Sequence, residues 1–246
     1  MIDIHAHILP GVDDGASSVE ETVKMLRRAH ESGTTTIVAT PHLFHPAFPP
    51  RVPEEIRDLF EKMKGELNRL AGSAELSFLR NMEILLGAEH YWGAAFVEAL
   101  SRCDVLTLNR GRHVLLEFHP ATTKRQLMQG SEMVMRAGIM PVLAHVERYA
   151  AVRQDPRLLR HLRAAGCLTQ LNARSLEGNP WDRSRRFAHR LLAEDLITMI
   201  ASDGHDCGLR SPSIPLEPLI QKYPDEQIRQ WTVASPGWVV GETRAI

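Results

Sequence analysis

Seven short apolar runs, rich in β-branched residues, recur along the chain and predict β-strands. Between them lie segments in which apolar residues recur every three or four positions, as in amphipathic helices. Strands that alternate with helices are typical of parallel βαβ units, and the chain length fits one α/β barrel. The predicted strands span residues 1–7, 34–40, 83–89, 114–118, 140–145, 167–172 and 197–202.

The predicted strands alternate with seven helical segments. The clearest helix spans residues 53–72, where an apolar stripe runs from Ile56 to Leu70 and charged residues fill the other faces. At the start of the first helix, Ser17 and Glu20 predict a capping box. Further helical segments are predicted to begin near residue 155 and to span residues 184–194, 215–222 and 225–233.

Histidines and carboxylates follow the predicted strands rather than the helices. His5 and His7 lie two positions apart at the end of the first strand, so their side chains point to the same face. Glu117 lies within an apolar run, where an unpaired charge is costly, and it predicts a nearby cation. Because the ends of parallel barrel strands share one face, we expect these residues to converge. The set comprises His5, His7, Asp14, His42, Glu89, Glu117, His145, Asp203 and His205.

Nine converging ligands exceed the needs of one ion and predict a cluster of two or three metal ions. Imidazole and carboxylate ligands without thiolate favour manganese, iron or zinc over magnesium or calcium alone. Such clusters activate water and stabilise the attacking and leaving oxygens of a phosphoryl displacement. The sequence therefore predicts metal-assisted hydrolysis, with a phosphate ester as the favoured substrate.

Two arginines lie in loops near the candidate ligands. Arg148 follows a ligand-bearing strand directly, and Arg210 follows the last ligand pair. A guanidinium group offers a planar fork that matches phosphate oxygens, so both are candidate phosphate-binding residues. The alternative for Arg148 is a surface ion pair, with Glu147 or Asp155 as the partner.

Other polar residues near the strand ends have structural alternatives. Asp13 and Asp14 lie in a turn, where aspartates commonly accept hydrogen bonds from backbone amides. His45 lies in a proline-rich loop and is predicted to line the rim of the site rather than to bind metal. The sixth strand ends in Asn172 and is predicted to contribute no metal ligand.

Composition narrows the function further. The 246 residues, 43% of them hydrophobic, predict a single domain over residues 1–246. With 29 basic and 30 acidic residues, the net charge of −1 favours binding neither to nucleic acid nor to an anionic membrane. No run reaches the roughly 18 apolar residues of a membrane span, and the first residues lack the pattern of a signal peptide. We therefore expect a cytoplasmic protein without membrane insertion, in which Cys103, Cys167 and Cys207 are reduced thiols.

The candidate residues lie in a series of short motifs with a fixed order along the chain. The motifs are Asp-Ile-His-Ala-His7, Val-Asp-Asp-Gly15, Thr-Pro-His42, Gly-Ala-Glu89, Leu-Glu-Phe118, Ala-His-Val-Glu-Arg148 and Ala-Ser-Asp-Gly-His205. Their order resembles that of the PHP (polymerase and histidinol phosphatase) superfamily. Within it, the chain is similar to the bacterial manganese-dependent protein-tyrosine phosphatases of capsule and exopolysaccharide operons. This resemblance implies a distorted (β/α)7 barrel that holds three metals at the C-terminal ends of its strands.

The resemblance also implies a role for each residue of the site. Arg148 corresponds to the phosphate-binding arginine of the family, and Arg210 corresponds to a second one. With Asp203 and His205, these arginines form the implied catalytic set. The implied metal ligands are His5, His7 and Asp203 for the first metal, Glu117 and His145 for the second, and Asp14, His42 and His205 for the third, with Glu89 bridging the first two.

The implied reaction is hydrolysis of phosphotyrosine on the tyrosine-rich tail of a bacterial kinase that controls polysaccharide synthesis. The loops after His42, Glu89 and Arg210 depart from the family pattern, so two alternatives stay open. One is a small-molecule phosphatase, such as a histidinol-phosphate phosphatase. The other is a metal-stabilised regulatory module without turnover.

Overall fold

The computed structural model of this protein describes residues 1–241 and contains only parallel strand pairs among its named strands. The strands form a three-stranded and a six-stranded sheet. The predicted α/β class, with the C-terminal ends of the strands on one face, is confirmed. The strands are β1 Ile2–Ala6, β2 Thr36–Ala39, β3 His42–Leu43, β4 Glu83–Leu86, β5 Glu89–Tyr91, β6 His113–Glu117, β7 Met140–Leu143, β8 Leu168–Asn172 and β9 Met199–Ala201.

The predicted strands over residues 34–40 and 83–89 contain β2 and β4, and each is followed, after a short break, by a further strand, β3 or β5, that was not predicted as a separate strand. These two breaks join the sheets. Strand β2 pairs with β4 in the first sheet, whereas β3 and β5, which follow them in the chain, pair in the second. The first break contains Pro41, which has no amide hydrogen to donate to a ladder. The second contains Gly87, where a Cβ atom would lie 2.7 Å from the Leu108 side chain. The seven predicted strands therefore keep their chain order through both sheets.

The first and last strands lie side by side. Their contact includes a bridge between Ala6 and Gly204 and a hydrogen bond of 2.8 Å from the His7 amide to the Gly204 carbonyl. The buried Asp3 carboxylate adds to it, accepting hydrogen bonds from the Ser202 amide at 3.0 Å and the Ser202 hydroxyl at 2.5 Å. These contacts hold β1 against β9.

Helices follow most strands and pack on the outside of the sheets. The residue pattern alone gave no bounds for two of the helices, Ala94–Ser101 (α3) and Lys124–Arg136 (α4). The second of these buries Gly130 and Ser131 instead of presenting a continuous apolar stripe. A Cβ atom at Gly130 would lie 2.8 Å from the Phe118 ring, so this helix needs a small residue there. The helices are α1 Val19–Glu31, α2 Pro53–Leu70, α3 Ala94–Ser101, α4 Lys124–Arg136, α5 Ala150–Gln154, α6 Leu158–Ala164, α7 Arg183–Ala193, α8 Glu217–Ile220, α9 Asp225–Arg229 and α10 Ser235–Val240.

The N-terminus of α1 differs by one residue from its prediction. The hydroxyl of Ser18 accepts the hydrogen bond from the Glu21 amide and caps the helix. Ser17 instead donates to the Glu21 carboxylate from its amide at 2.9 Å and from its hydroxyl at 2.6 Å. The predicted capping box of Ser17 and Glu20 is therefore wrong, although its position in the chain was close.

The apolar side chains of the strands and the inner helix faces form the core. Phe96, Phe118 and Tyr149 are fully buried in its largest cluster. Within residues 1–241, every helix is too short or too polar to cross a bilayer. The single domain over residues 1–246 stays a prediction, and its last five residues, 242–246, lie outside the described residues.

Candidate metal centre

The nine predicted ligands lie together at the C-terminal ends of the strands. Seven of them line a cavity of about 440 Å³. His5 and His7 lie beneath it and are fully buried. The seven are Asp14, His42, Glu89, Glu117, His145, Asp203 and His205.

Four buried side chains converge on one point at the floor of the cavity. The Nε2 atoms of His5 and His7 face each other at 3.2 Å. Glu89 Oε2 lies 3.3 Å from both of these nitrogens. Asp203 Oδ1 lies 3.2 Å from the His5 Nε2 and 3.5 Å from the His7 Nε2. These ligand atoms are close enough together to share one metal ion.

The other ring nitrogen of each histidine identifies which atom carries the proton. His7 Nδ1 donates to Asp13 Oδ2 at 2.7 Å. Burial opposes ionisation of Asp13, but His7 lowers the pKa of this carboxyl to about 2. The Asp13 carboxylate is therefore ionised and accepts the hydrogen bond from His7. His5 Nδ1 lies 3.3 Å from Gln170 Oε1, which also accepts the His145 amide at 2.7 Å. In the neutral rings, both Nε2 atoms therefore present lone pairs, and the two lone pairs and two carboxylate oxygens require a cation between them.

The electrostatics agree with this requirement. Burial alone would lower the pKa of His5, yet the carboxylates of Glu89 and Asp203 raise it above its ordinary value. Burial likewise opposes ionisation of these two carboxyls, but His5 holds their pKa values well below the usual range. The floor of the cavity therefore stabilises positive charge, whether carried by protons or by a metal ion.

A second group lies nearer the cavity mouth. Asp14 Oδ1 lies 3.3 Å from His205 Nε2 and 3.7 Å from His42 Nε2. His205 Nδ1 donates to the Asp203 backbone carbonyl at 2.8 Å, which leaves its Nε2 free to face Asp14. The neighbouring His205 ring, with Arg210, holds the pKa of Asp14 below its usual range. With His7, these three residues form another set whose ligand atoms lie close enough to share a metal ion.

The third group brings two glutamates together. His145 Nε2 lies 2.9 Å from Glu89 Oε1 and 3.6 Å from Glu117 Oε1. His42 Nδ1 lies 3.1 Å from Glu89 Oε2. Burial and the neighbouring Glu89 charge raise the pKa of Glu117 to about 8. Among the described residues, neither Glu89 Oε2 nor Glu117 Oε2 has a hydrogen-bond donor, so a cation between the two carboxylates would satisfy both.

The backbone around the ligands is tightly constrained. His145 and Asp203 have positive φ angles of 31° and 55°, which are uncommon for residues other than glycine. A Cβ atom at Gly15 would lie 2.1 Å from the His7 carbonyl oxygen, and one at Gly204 would lie 2.6 Å from the Pro212 backbone. The loops that carry Asp14, Asp203 and His205 therefore depend on these two glycines.

The two candidate phosphate-binding arginines line the same cavity and are about half exposed. Arg148 Nη2 forms an ion pair with Asp203 Oδ2 at 2.9 Å. Its partner is therefore neither Glu147 nor Asp155, the two that the surface alternative named. Arg210 forms an ion pair with Asp14 at 3.1 Å.

Several residues support the site in ways that the sequence did not predict. Asp13 does accept hydrogen bonds from backbone amides, at 2.9 Å from Gly15 and 2.8 Å from His42, but it also orients the His7 ring. Strand β8 carries none of the nine predicted ligands, yet its Gln170 and Asn172 contact predicted ligands. Their two-residue spacing, which places both on one face of a strand, was the available signal.

Aromatic side chains line the rim. The Phe48 ring stacks on His42 with centroids 4.9 Å apart and an interplanar angle of 18°. His45 contacts Tyr91 edge to face at 4.6 Å, and its Nε2 lies 3.9 Å from Glu117 Oε2. His45 belongs to none of the three close ligand sets, in agreement with its predicted position at the rim. The third of these sets is His42, Glu89 and Glu117, so the predicted ligand His145 also lies outside all three, although its Nε2 is 2.9 Å from Glu89 Oε1.

A parallel α/β fold with histidines and carboxylates converging at its strand ends is typical of metal-dependent hydrolases with an α/β fold. Within this class, the family model described as capsular polysaccharide synthesis, CpsB/CapC, matches residues 1–240. The chain belongs to this family. The predicted resemblance to the bacterial phosphatases of capsule operons is thereby confirmed.

Individual relatives agree over most of the chain. Tyrosine-protein phosphatase CpsB of Streptococcus pneumoniae is 31% identical over 248 residues, covering 98% of each chain. Tyrosine-protein phosphatase YwqE of Bacillus subtilis (strain 168) is 32% identical over 211 residues, covering 86% of this chain and 80% of that protein.

A solved structure matches the whole fold. It belongs to a study of YwqE from Bacillus subtilis and CpsB from Streptococcus pneumoniae, which describes them as unique metal-dependent tyrosine phosphatases. The TM-score is 0.85 at 27% identity, with 100% of this chain and 96% of that chain covered.

Proposed function

We propose that this protein is a metal-dependent protein-tyrosine phosphatase that acts on a bacterial tyrosine kinase controlling capsular or exopolysaccharide synthesis. One observation carries the metal dependence: the Nε2 atoms of His5 and His7 face each other at 3.2 Å between two carboxylates. The names of the relatives support phosphotyrosine as the substrate, and the family description supports the link to capsule synthesis.

The proposed cofactor is a cluster of two or three Mn²⁺ ions, for which iron or zinc are alternatives with similar ligand preferences. His42 faces both the Asp14 group and the Glu89 group, so it is proposed to lie between two of the sites. The proposed ligands are His5, His7, Glu89 and Asp203 for the first ion, Glu89, Glu117 and His145 for the second, and Asp14, His42 and His205 for the third.

Divalent ions bound there would supply Lewis acidity, which activates water for attack on phosphorus and neutralises charge on the phosphoryl oxygens. Arg148 keeps one amino group on Asp203 and has further N–H donors for a phosphoryl oxygen in the cavity. Arg210 is proposed to contact the phosphate from the cavity mouth. Asp203 and His205 act catalytically as ligands, and Asp203 also orients Arg148.

The cavity wall supports an aryl phosphate as the substrate. Phe48 and His45 line the cavity together with the two arginines. Tyr91 packs against His45 beside them. Phosphotyrosine combines a dianionic phosphate with an aromatic ring, and this cavity offers cations for the first and aromatic faces for the second.

Turnover of three substrates by the purified, manganese-loaded protein tests the proposal. These are a phosphotyrosine peptide, histidinol phosphate and 4-nitrophenyl phosphate. We expect the highest kcat/KM with the phosphotyrosine peptide and measurable hydrolysis of the nitrophenyl ester. A preference for histidinol phosphate would instead indicate a small-molecule phosphatase, and absence of turnover with metal bound would indicate a non-catalytic module.

The contribution of the aromatic wall can be measured separately. Phe48→Ala should lower kcat/KM for the phosphotyrosine peptide by roughly 3- to 10-fold, because an aromatic pair contributes about 0.5–1.5 kcal/mol. Hydrolysis of an alkyl phosphate should stay unchanged. Leu209→Ala is the control, because Leu209 lines the same cavity but is 85% exposed. Equal losses on both substrates would remove Phe48 from substrate selection.

A cytoplasmic location is part of the proposal. Cys103, Cys167 and Cys207 are all free, and Cys103 is exposed. Exposed free thiols are typical of proteins in reducing compartments.

A further inference from the structure

Strand β8 carries two buried amide side chains beneath the candidate metal centre. Gln170 and Asn172 point to the same face of the strand and are 0% and 2% exposed. No predicted ligand comes from this strand, so the metal-centre assignment alone gives these two residues no role. A buried amide carries donors and acceptors that must all be satisfied, which makes its partners informative.

The hydrogen bonds of the two amides form a chain with a fixed direction. Gln170 Oε1 accepts the His145 backbone amide at 2.7 Å, which assigns the oxygen and nitrogen of this side chain. The same oxygen lies 3.3 Å from His5 Nδ1. Gln170 Nε2 donates to Asn172 Oδ1 at 2.9 Å, and Asn172 Nδ2 donates to Asp203 Oδ2 at 2.7 Å.

This chain reaches three candidate ligands that come from three different strand ends. Because the Gln170 oxygen can only accept, it keeps the His5 proton on Nδ1 and the lone pair of Nε2 toward the metal site. Because the Nδ2 group of Asn172 can only donate, it engages Asp203 Oδ2 as a hydrogen-bond acceptor. Oδ1 of Asp203 then stays directed at the two histidines.

We propose that Gln170 and Asn172 form a positioning pair that sets the His5 tautomer and the Asp203 carboxylate orientation for metal binding. The pair also places Asp203 Oδ2 where Arg148 contacts it at 2.9 Å, so it links the metal centre to the phosphate-binding arginine. This inference rests on the metal centre of the proposed function, but not on the identity of the substrate.

The test is Mn²⁺ affinity, measured by titration of metal-free protein without substrate. Asn172→Leu removes the donor to Asp203 and the acceptor for Gln170 at similar side-chain volume. We expect it to weaken Mn²⁺ binding by about 10- to 100-fold, the usual effect of losing a hydrogen-bond partner of a ligand. Gln170→Glu keeps an acceptor for His5 but loses the donor to Asn172, so its loss should be smaller.

Ser175→Ala is the matched control. Ser175 donates to Glu147 Oε1 at 2.7 Å, the same oxygen that accepts the Asn172 backbone amide, but it contacts no candidate ligand. It should bind Mn²⁺ as the unaltered protein does. The Tm of each metal-free variant separates an effect on folding from an effect on positioning. If the pair positions the ligands, Asn172→Leu weakens Mn²⁺ binding by more than Ser175→Ala does, even when the two variants have similar Tm values.

Unchanged Mn²⁺ affinity in Asn172→Leu would overturn the inference. So would equal affinity losses in Asn172→Leu and Ser175→Ala. If Asn172→Leu does not fold, Gln170→Met decides, because it removes the hydrogen bonds of Gln170 to His5 and Asn172 without adding a buried charge. Wild-type affinity in Gln170→Met would then overturn the inference. A protein that binds Mn²⁺ but does not hydrolyse phosphotyrosine would contradict the proposed function while leaving this test intact.

Discussion

The inner and outer parts of the candidate centre differ in how their side chains are held. The inner part, His5, His7, Glu89 and Asp203, is buried, and three of its members are oriented by hydrogen bonds: His7 by Asp13, His5 by Gln170 and Asp203 by Asn172. The outer part, Asp14, His42, Glu117 and Arg210, borders the cavity, and Asp14 is 43% exposed.

The difference separates two physical tasks. Buried partners fix the inner ligands before any ion binds, which lowers the entropy cost of binding and raises affinity. Water competes with the outer ligands for binding to a metal ion. The outer part can therefore rearrange more easily when a substrate binds or when bound water exchanges. We therefore expect substitutions in the inner part to have the larger effects.

The largest effect is expected from His5→Ala. This change removes one of the two facing nitrogens and leaves two buried carboxylates with less compensation. We expect fewer metal ions per chain and a loss of kcat/KM greater than about 100-fold, which exceeds the usual effect of losing a partner behind a ligand. His42→Ala should lower metal content and turnover together, but less. Elemental analysis and kinetics on the same preparations measure both, and a larger loss in His42→Ala would reverse the comparison.

Arg148→Lys should have the next largest effect. It keeps the charge but loses the fork that contacts Asp203 and, as proposed, the phosphate. Charge-assisted hydrogen bonds contribute roughly 1.5–3 kcal/mol each, so kcat/KM should fall by about ten- to several-hundred-fold. Metal content should stay intact. Near wild-type turnover would exclude Arg148 from the mechanism, and lost metal would assign it to the scaffold.

Arg210→Lys tests the same chemistry at the outer part. Arg210 is half exposed and already pairs with Asp14 and Asp206, so its contact with the phosphate is solvated. A single hydrogen bond there contributes about 0.5–1.5 kcal/mol, which predicts a loss in kcat/KM of roughly 3- to 10-fold. Steady-state kinetics beside Arg148→Lys provide the measurement. A loss as large as that of Arg148→Lys would show that exposure does not weaken the outer arginine.

The smallest effect concerns acid stability away from the centre. Burial, with Lys222 and Arg185 nearby, lowers the pKa of His189 to about 4 from its ordinary 6.5. As the pH falls, His189 is therefore protonated in the unfolded chain at a higher pH than in the folded protein. This difference lowers the free energy of unfolding as the pH drops from 6.5 towards 4. In metal-free protein, the Tm of His189→Gln should fall by less between pH 7 and pH 5 than the Tm of the unaltered chain. An equal loss would mean that His189 does not contribute to acid lability.

Much of the inner part could be predicted because strand ends carry it. The side chains of His5 and His7 share a face by the two-residue period of a strand, and parallel strands bring Glu89 and Asp203 to the same end. The breaks after β2 and β4 did not disturb this, since the chain continues in the same direction on either side of each break.

The remaining features depend on tertiary contacts that local patterns do not carry. The pairing of Arg148 with Asp203 joins loops from two different strands, so the nearby Glu147 and Asp155 were the reasonable local candidates. Asp13 serves the turn and His7 at once, and a turn signal predicts only the first role. Gln170 and Asn172 are not preferred metal ligands, so their residue types alone did not predict that they lie beneath the centre.

The metal content of the purified protein tests the central claim most directly. We expect two to three manganese, iron or zinc ions per chain by elemental analysis. Exhaustive chelation should abolish phosphotyrosine hydrolysis, and added Mn²⁺ should restore it. Chelation should also lower Tm by about 5–11 °C, because an ion at 100 times its Kd contributes about 2.7 kcal/mol and a chain of this length shifts by about 2–4 °C per kcal/mol. Full activity and an unchanged Tm in protein shown to be free of metal would contradict the account.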